Sequence, residues 1–172
     1  MTSRVSRVKA IAIAGVMAAL ANALSAASVA LPIYILGSQT SIHFTQLAVF
    51  MAGILSGPFG GLTAGAIGGL FSSFVFPKIP FIIGGLAILG LATGFLAKKI
   101  RPLFAGILAW VIQAPYVAIT DYAWFSLSLN RTPQAAWATV TFLLVVLTIE
   151  VVISSVLAEI IIAYLKRAQI TL

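Results

Sequence analysis

Three acids, Asp121, Glu150 and Glu159, and one histidine, His43, are the groups in this chain that could carry acid–base chemistry. Proton transfer or nucleophilic attack needs several such groups within hydrogen-bond reach. Four of them spread from position 43 to position 159 form no such set by spacing. No histidine pair can share a metal, and the chain has no cysteine, hence no thiolate site, disulfide or redox pair. No glycine-rich turn runs into Lys-Ser or Lys-Thr, so phosphate cradling is not expected. The expectation is a protein that is not an enzyme and uses neither metal nor cofactor.

The polar residues read instead as a binding site. Gln113, Tyr116 and Thr120 recur at i, i+3 and i+7, one face of a helix. Asp121 and Tyr122 sit beside that face, and Trp137 and Thr141 fall at a similar height on the next apolar segment. Gln39, His43 and Gln46 gather at an earlier segment start, and Asn22 lies mid-depth in the first. Few polar groups on apolar walls are what a small-molecule pocket requires. Each has a plainer role open to it. Trp124 and Trp137 suit an interfacial aromatic belt, and His43 suits an interfacial loop. Asp121 could pair with Arg131, and Gln113 could bridge two helices. Glu150 falls deeper, toward the inner half, where it could carry a proton or pair with a neighbouring chain. Glu159 could meet Lys98 or Lys99.

The elements that must position these residues follow from composition. Of 172 residues, 62% are hydrophobic and 8% charged, with mean hydropathy +1.17. A soluble domain holds about 25% charged residues; this chain could not cover its surface and needs lipid as solvent. Between Lys9 and Lys78 there is no Asp, Glu, Lys or Arg. The apolar runs are continuous rather than short and alternating, which selects helices over a barrel. The fold class expected is all-α: one membrane domain over 1–172, a bundle of six transmembrane helices over about 8–30, 42–56, 62–76, 81–97, 103–125 and 134–165. Pro32 follows the first span, Gly57-Pro58-Phe59-Gly60-Gly61 forms the turn after the second, and the last is long enough to tilt or protrude.

Charge orients the bundle. With the N-terminus inside, inner segments hold Arg4, Arg7, Lys9, Lys98, Lys99, Arg101, Lys166 and Arg167, and outer loops hold Lys78 and Arg131. The positive-inside rule favours that arrangement, with both termini cytoplasmic. The basic residues sit at span ends and make no face for nucleic acid. A basic head followed by Leu24-Ser25-Ala26-Ala27-Ser28 also has the look of a cleavable signal peptide, which would leave five spans and spoil the charge symmetry. Gly65 with Gly69 and Gly90 with Gly94, each at i, i+4, fit close helix packing.

Three features carry a resemblance. One is six short spans in a chain of this length. Another is the alanine repeat Ala10-Ile-Ala-Ile-Ala14-Gly-Val-Met-Ala18. The third is the cadence Leu47-Ala-Val-Phe-Met-Ala-Gly-Ile-Leu-Ser-Gly-Pro-Phe-Gly-Gly-Leu-Thr-Ala-Gly-Ala-Ile-Gly-Gly-Leu70, followed by Pro80-Phe-Ile-Ile-Gly-Gly-Leu and Leu89-Gly-Leu-Ala-Thr-Gly94. Together they resemble the substrate-binding (S) components of energy-coupling factor (ECF) transporters, which import vitamins and related micronutrients into prokaryotes. The resemblance implies capture of a vitamin-like small molecule at the outer face of the cell membrane, under a lid formed by the loop Pro32 to Ser41. It implies partnership with a membrane coupling subunit and two ATPases, docked on Ala10, Ala14 and Ala18, and toppling of the S component in the bilayer to release its cargo. Ala19, Ala23 and Ala27 make a second ridge. No substrate-specific signature for riboflavin, thiamine, biotin or folate is visible; aromatics with Gln and Asp suit a flat heterocycle bearing N–H donors or positive charge. Two other classes remain in view: a self-sufficient secondary carrier or channel using Asp121 or Glu150, and a non-transporting membrane scaffold.

Overall fold

The computed structural model describes residues 2–25, 31–35, 38–75 and 81–168. Five helices dominate: α1 (Thr2–Leu24), α2 (Thr45–Val75), α3 (Phe81–Leu96), α4 (Pro102–Ala123) and α5 (Pro133–Arg167). A wider π-helical turn, Trp124–Ser128, extends α4. Between α1 and α2 lie two strands, β1 (Leu31–Ile35) and β2 (Ser38–Ile42), paired antiparallel with Leu31 opposite Ile42 and Ile35 opposite Ser38. A polar loop was expected there. β-branched residues at Ile33, Ile35, Thr40 and Ile42 favour the extended pairing instead. Among the described residues, four helices, α1, α2, α4 with its π turn, and α5, are long and apolar enough to cross a membrane; α3 is apolar but shorter.

α2 occupies the region where two spans, 42–56 and 62–76, were expected. Its helical pairing is nearly continuous, yet Gly57 has φ 80° and ψ −174°, a conformation that only glycine adopts without strain. A Cβ built on Gly61 would lie 2.8 Å from the Cα of Gly53. In a straight helix those residues, eight apart, would be about 12 Å apart. α2 therefore doubles back at Gly57 into two limbs packed side by side. Pro58 opens the second limb, where its missing N–H costs nothing and its fixed φ suits the first helical turn. The expected five-residue turn contracts to one glycine.

Side-chain contacts give the directions. Ser25 Oγ and Thr45 Oγ1 lie 2.9 Å apart, joining the end of α1 to the start of α2. Ala18 packs with Ala52 of the first limb and Ala64 of the second. α3 runs antiparallel to the second limb, with Gly90 against Gly61 and Leu86 against Gly65. α4 and α5 are antiparallel: Trp110 Nε1 donates to Thr148 Oγ1 at 3.0 Å, and Arg101 meets Glu159. Phe50, Leu89, Ala109, Trp110 and Val151, drawn from α2 to α5, form the core. The α3–α4 turn, the start of α4 and the end of α5 therefore meet at one end, bringing Lys98, Lys99, Arg101, Lys166 and Arg167 together. A cleft of about 760 Å³ opens there, lined by Ile54, Leu55, Lys98, Arg101, Glu159 and Leu165 among others.

One polar residue clips α1 to α2. Asn22 Nδ2 donates to the Ile67 carbonyl at 2.9 Å and Asn22 Oδ1 accepts from the Phe71 N–H at 2.9 Å. Residues 67 and 71 are the two ends of one i, i+4 rung, so the amide lies across the helical ladder of the second limb. Hydrogen bonds between membrane helices contribute about 0.6 kcal/mol each on average. Asn22→Ala is expected to cost about 1 kcal/mol and lower the melting temperature in detergent by a few degrees. An unchanged melting temperature would mean that the rung closes on itself without loss.

Candidate functional site

The expected binding residues fall into three groups. The first lies where β2 passes into α2. The backbone N–H of His43 donates to Glu150 Oε1 at 2.7 Å, and Gln46 Nε2 donates to Glu150 Oε2 at 3.4 Å. Gln46 and Glu150 are each 4% exposed. Gln46 Oε1 and His43 Nδ1 are buried with no hydrogen-bond partner among the described residues. His43 precedes α2 and is half-buried; loss of water around the imidazole holds its pKa below the ordinary value, which leaves the ring neutral with one acceptor nitrogen.

The second group faces α3. Gln113 is buried and its Nε2 lies against Gly85. One turn on, the Tyr116 hydroxyl sits over Gly84. A Cβ on Gly84 would collide with the phenol oxygen and push the Tyr116 ring aside, whereas one on Gly85 would lie 3.1 Å from Gln113 Nε2, a tight contact that a small shift of the amide relieves. Gln113 Oε1 has no hydrogen-bond partner among the described residues. Thr120, expected on the same face, spends its hydroxyl on the Tyr116 carbonyl at 2.8 Å.

The third group lies at the far end of α4 and the start of α5. Tyr122 stacks on Trp137 with ring centroids 4.7 Å apart and planes inclined by 27°. Asp121 is buried nearby in sequence. Trp137 is half exposed, and Thr141 lies on the exposed side of α5. Arg131 donates to Thr139 Oγ1 at 2.8 Å, and its guanidinium sits 5.3 Å from the centre of the Phe125 ring. Gln39 lies in β2 opposite Tyr34; its side chain is outside the described residues.

Glu150 is the polar residue that sequence reasoning left apart from the others. Counting along the last apolar run put it toward the inner half. The structure brings the chain to it: α2 begins only at Thr45, so His43 and Gln46 reach the level of Glu150. The signal was an acid midway along an apolar helix, which in a membrane is a functional-site hypothesis by default. Glu159 meets neither Lys98 nor Lys99; it takes Arg101 at 2.7 Å and the Leu103 N–H at 3.1 Å. Arg101 at the start of α4 lies beside the end of α5, and that exposed pair contributes at most about 1 kcal/mol.

Two of the three alanines in the first ridge are buried in the bundle. Ala14 is 4% and Ala18 2% exposed, and Ala10 is half-buried. Ala14 lies against Gly60, and Ala18 is held between the limbs of α2. The small residues on the opposite side of α1, Ala12, Gly15, Ala19 and Ala23, are exposed. Ala27 lies outside the described residues.

Residues 5–167 match the model of the family described as ECF-type riboflavin transporter, S component. No curated protein and no solved structure gives a significant match.

Proposed function

Because this chain belongs to the ECF-type S-component family, the substrate-binding membrane subunits of these transporters, we propose that it captures a vitamin-class flat heterocycle at the outer face of the plasma membrane. A separate coupling subunit and two ATPases then drive delivery inward. The observation that carries this reading is a family match over nearly the whole chain, joined to the polar cluster at Glu150 inside an otherwise apolar bundle. Such a cluster is costly in lipid and is kept where it binds or moves something.

Six membrane-crossing segments follow if the two limbs of α2 are counted separately. Both termini then lie in the cytoplasm, with eight Lys and Arg on that side and Lys78 and Arg131 on the other. The β1–β2 hairpin caps the outer end as the lid, and Glu150 holds its foot through the His43 N–H. Cargo would lie among His43, Gln46, Gln113 and Tyr116, with Asp121, Tyr122 and Trp137 toward the mouth. The coupling subunit would dock on the exposed ridge Ala12, Gly15, Ala19 and Ala23, where small side chains let another helix approach and release.

The test is denaturing extraction of protein purified in detergent, with mass spectrometry of whatever is released. A stoichiometric heterocyclic micronutrient is expected. Protein that is empty after purification, and still empty after incubation with a vitamin panel that includes riboflavin, would sink the reading.

A further inference from the structure

The atoms around Glu150 say what kind of edge the cargo presents, an inference that rests on the transport reading. Among the described residues, both hydrogen-bond partners of Glu150 are neutral: the His43 N–H at 2.7 Å and Gln46 Nε2 at 3.4 Å. Each carboxyl oxygen has two lone pairs, and among the described residues Oε2 has one contact, a long one, so room for further pairing is left chiefly there. Gln46 points one amide hydrogen bond at Glu150 and leaves Oε1 unpaired, and His43 Nδ1 is unpaired beside it in sequence. The backbone N–H of His43 and the amide of Gln46 are thus already engaged with the carboxyl group, while the acceptor Gln46 Oε1 stays open. Both side chains that would hold a ligand are more than nine-tenths buried. Leaving such acceptors unfilled costs stability, and the bundle could have used apolar residues of similar size at little loss.

We propose that Glu150 and Gln46 read the cargo through an edge bearing two adjacent N–H donors, an amino-substituted ring nitrogen or its cationic equivalent. A 2-amino-4-oxo ring, in which a ring N–H stands next to an exocyclic amino group, presents two parallel donors to a carboxylate. The imide edge of a flavin presents one N–H between two carbonyls. Set against a carboxylate, it gains one hydrogen bond and brings at least one carbonyl oxygen into repulsion. Anionic forms such as phosphate esters are disfavoured at this position for the same reason.

The experiment is equilibrium binding to the full chain in detergent with three probes: 2-amino-4-oxopteridine, 7-deazaguanine and riboflavin. At least one of the first two is expected to bind at least about tenfold tighter than riboflavin, since a site built to pair two donors rejects a ligand that leaves it unpaired. Glu150→Gln replaces an acceptor by a donor at nearly constant shape and is expected to weaken that ligand by about tenfold or more. Gln46→Ala removes the second acceptor and reads the same edge if Glu150→Gln fails to fold. Riboflavin binding tightest, or donor-edge affinities unchanged in both variants, overturns the proposal. Riboflavin bound tightly and indifferently to Glu150 would do so while leaving the transport reading intact. Binding of none of the three also overturns it, and the extraction experiment then decides the transport reading separately.

Discussion

Gly61→Ala is expected to destabilise the bundle by about 2–3 kcal/mol, and Gly61→Val to leave no folded protein. A Cβ on Gly61 would fall on the carbonyl of Gly90, and a Cβ on Gly90 would fall on the carbonyl of Gly61. Gly65 meets the Leu86 carbonyl in the same way, and Gly53 stands 2.9 Å from the Gly90 oxygen by the same construction. Overpacking usually costs about 1–3 kcal/mol because a side chain can turn aside. Here the obstacle is backbone on a third element, α3, wedged against both limbs of α2, so no rotamer change relieves it. Membrane helices lack a hydrophobic drive toward one another and depend on such close van der Waals contact. Gly61→Ala and Gly90→Ala share one contact, so the double variant is expected to cost less than the sum of the two. Gly15→Ala is the control: nothing lies within 4 Å of its Cβ position, and alanine gains about 1 kcal/mol of helix propensity. Thermal unfolding in detergent decides the matter. A midpoint for Gly61→Ala no lower than that of Gly15→Ala would mean that α2 and α3 do not approach as described.

Ala19→Phe is expected to abolish ATP-driven uptake while leaving cargo binding and folding unchanged, and Ala14→Phe to fail earlier, at folding. The two residues lie on one helix and differ only in what they face. Ala14 abuts Gly60 where the limbs of α2 meet, so a phenyl ring has no room. Ala19 lies on the exposed side with Ala12, Gly15 and Ala23. In lipid a ring there is tolerated; against a docking helix it holds the partner off by several ångströms. The measurements are uptake into cells or proteoliposomes carrying the coupling subunit and ATPases, cargo affinity in detergent, and melting temperature, for both variants. Normal uptake by Ala19→Phe would move the docking surface off this face of α1.

The membrane class and the apolar segments were legible in the residues themselves. Transfer into lipid is a local free energy: each side chain brings its own, and a run without Asp, Glu, Lys or Arg from position 10 to 77 sums to several spans whatever the packing. The reversal near Gly57-Pro58 was legible for the same reason, since positive φ and a missing N–H are properties of single residues. Its length was not. Whether Gly60 and Gly61 turn or pack depends on α3 lying close enough to need them bare.

The tertiary structure alone decided three things. It buried Ala14 and Ala18 against the limbs of α2 and left Ala12, Gly15, Ala19 and Ala23 exposed, which the alanine spacing along α1 could not show. It set Arg101, rather than Lys98 or Lys99, against Glu159, because that choice depends on how the start of α4 meets the end of α5. And it placed Glu150 beside His43 and Gln46, more than a hundred positions earlier in the chain. Depth counted along one helix could not show this. The level at which two distant segments meet depends on where each helix starts, and α2 starts late because the residues before it pair as strands.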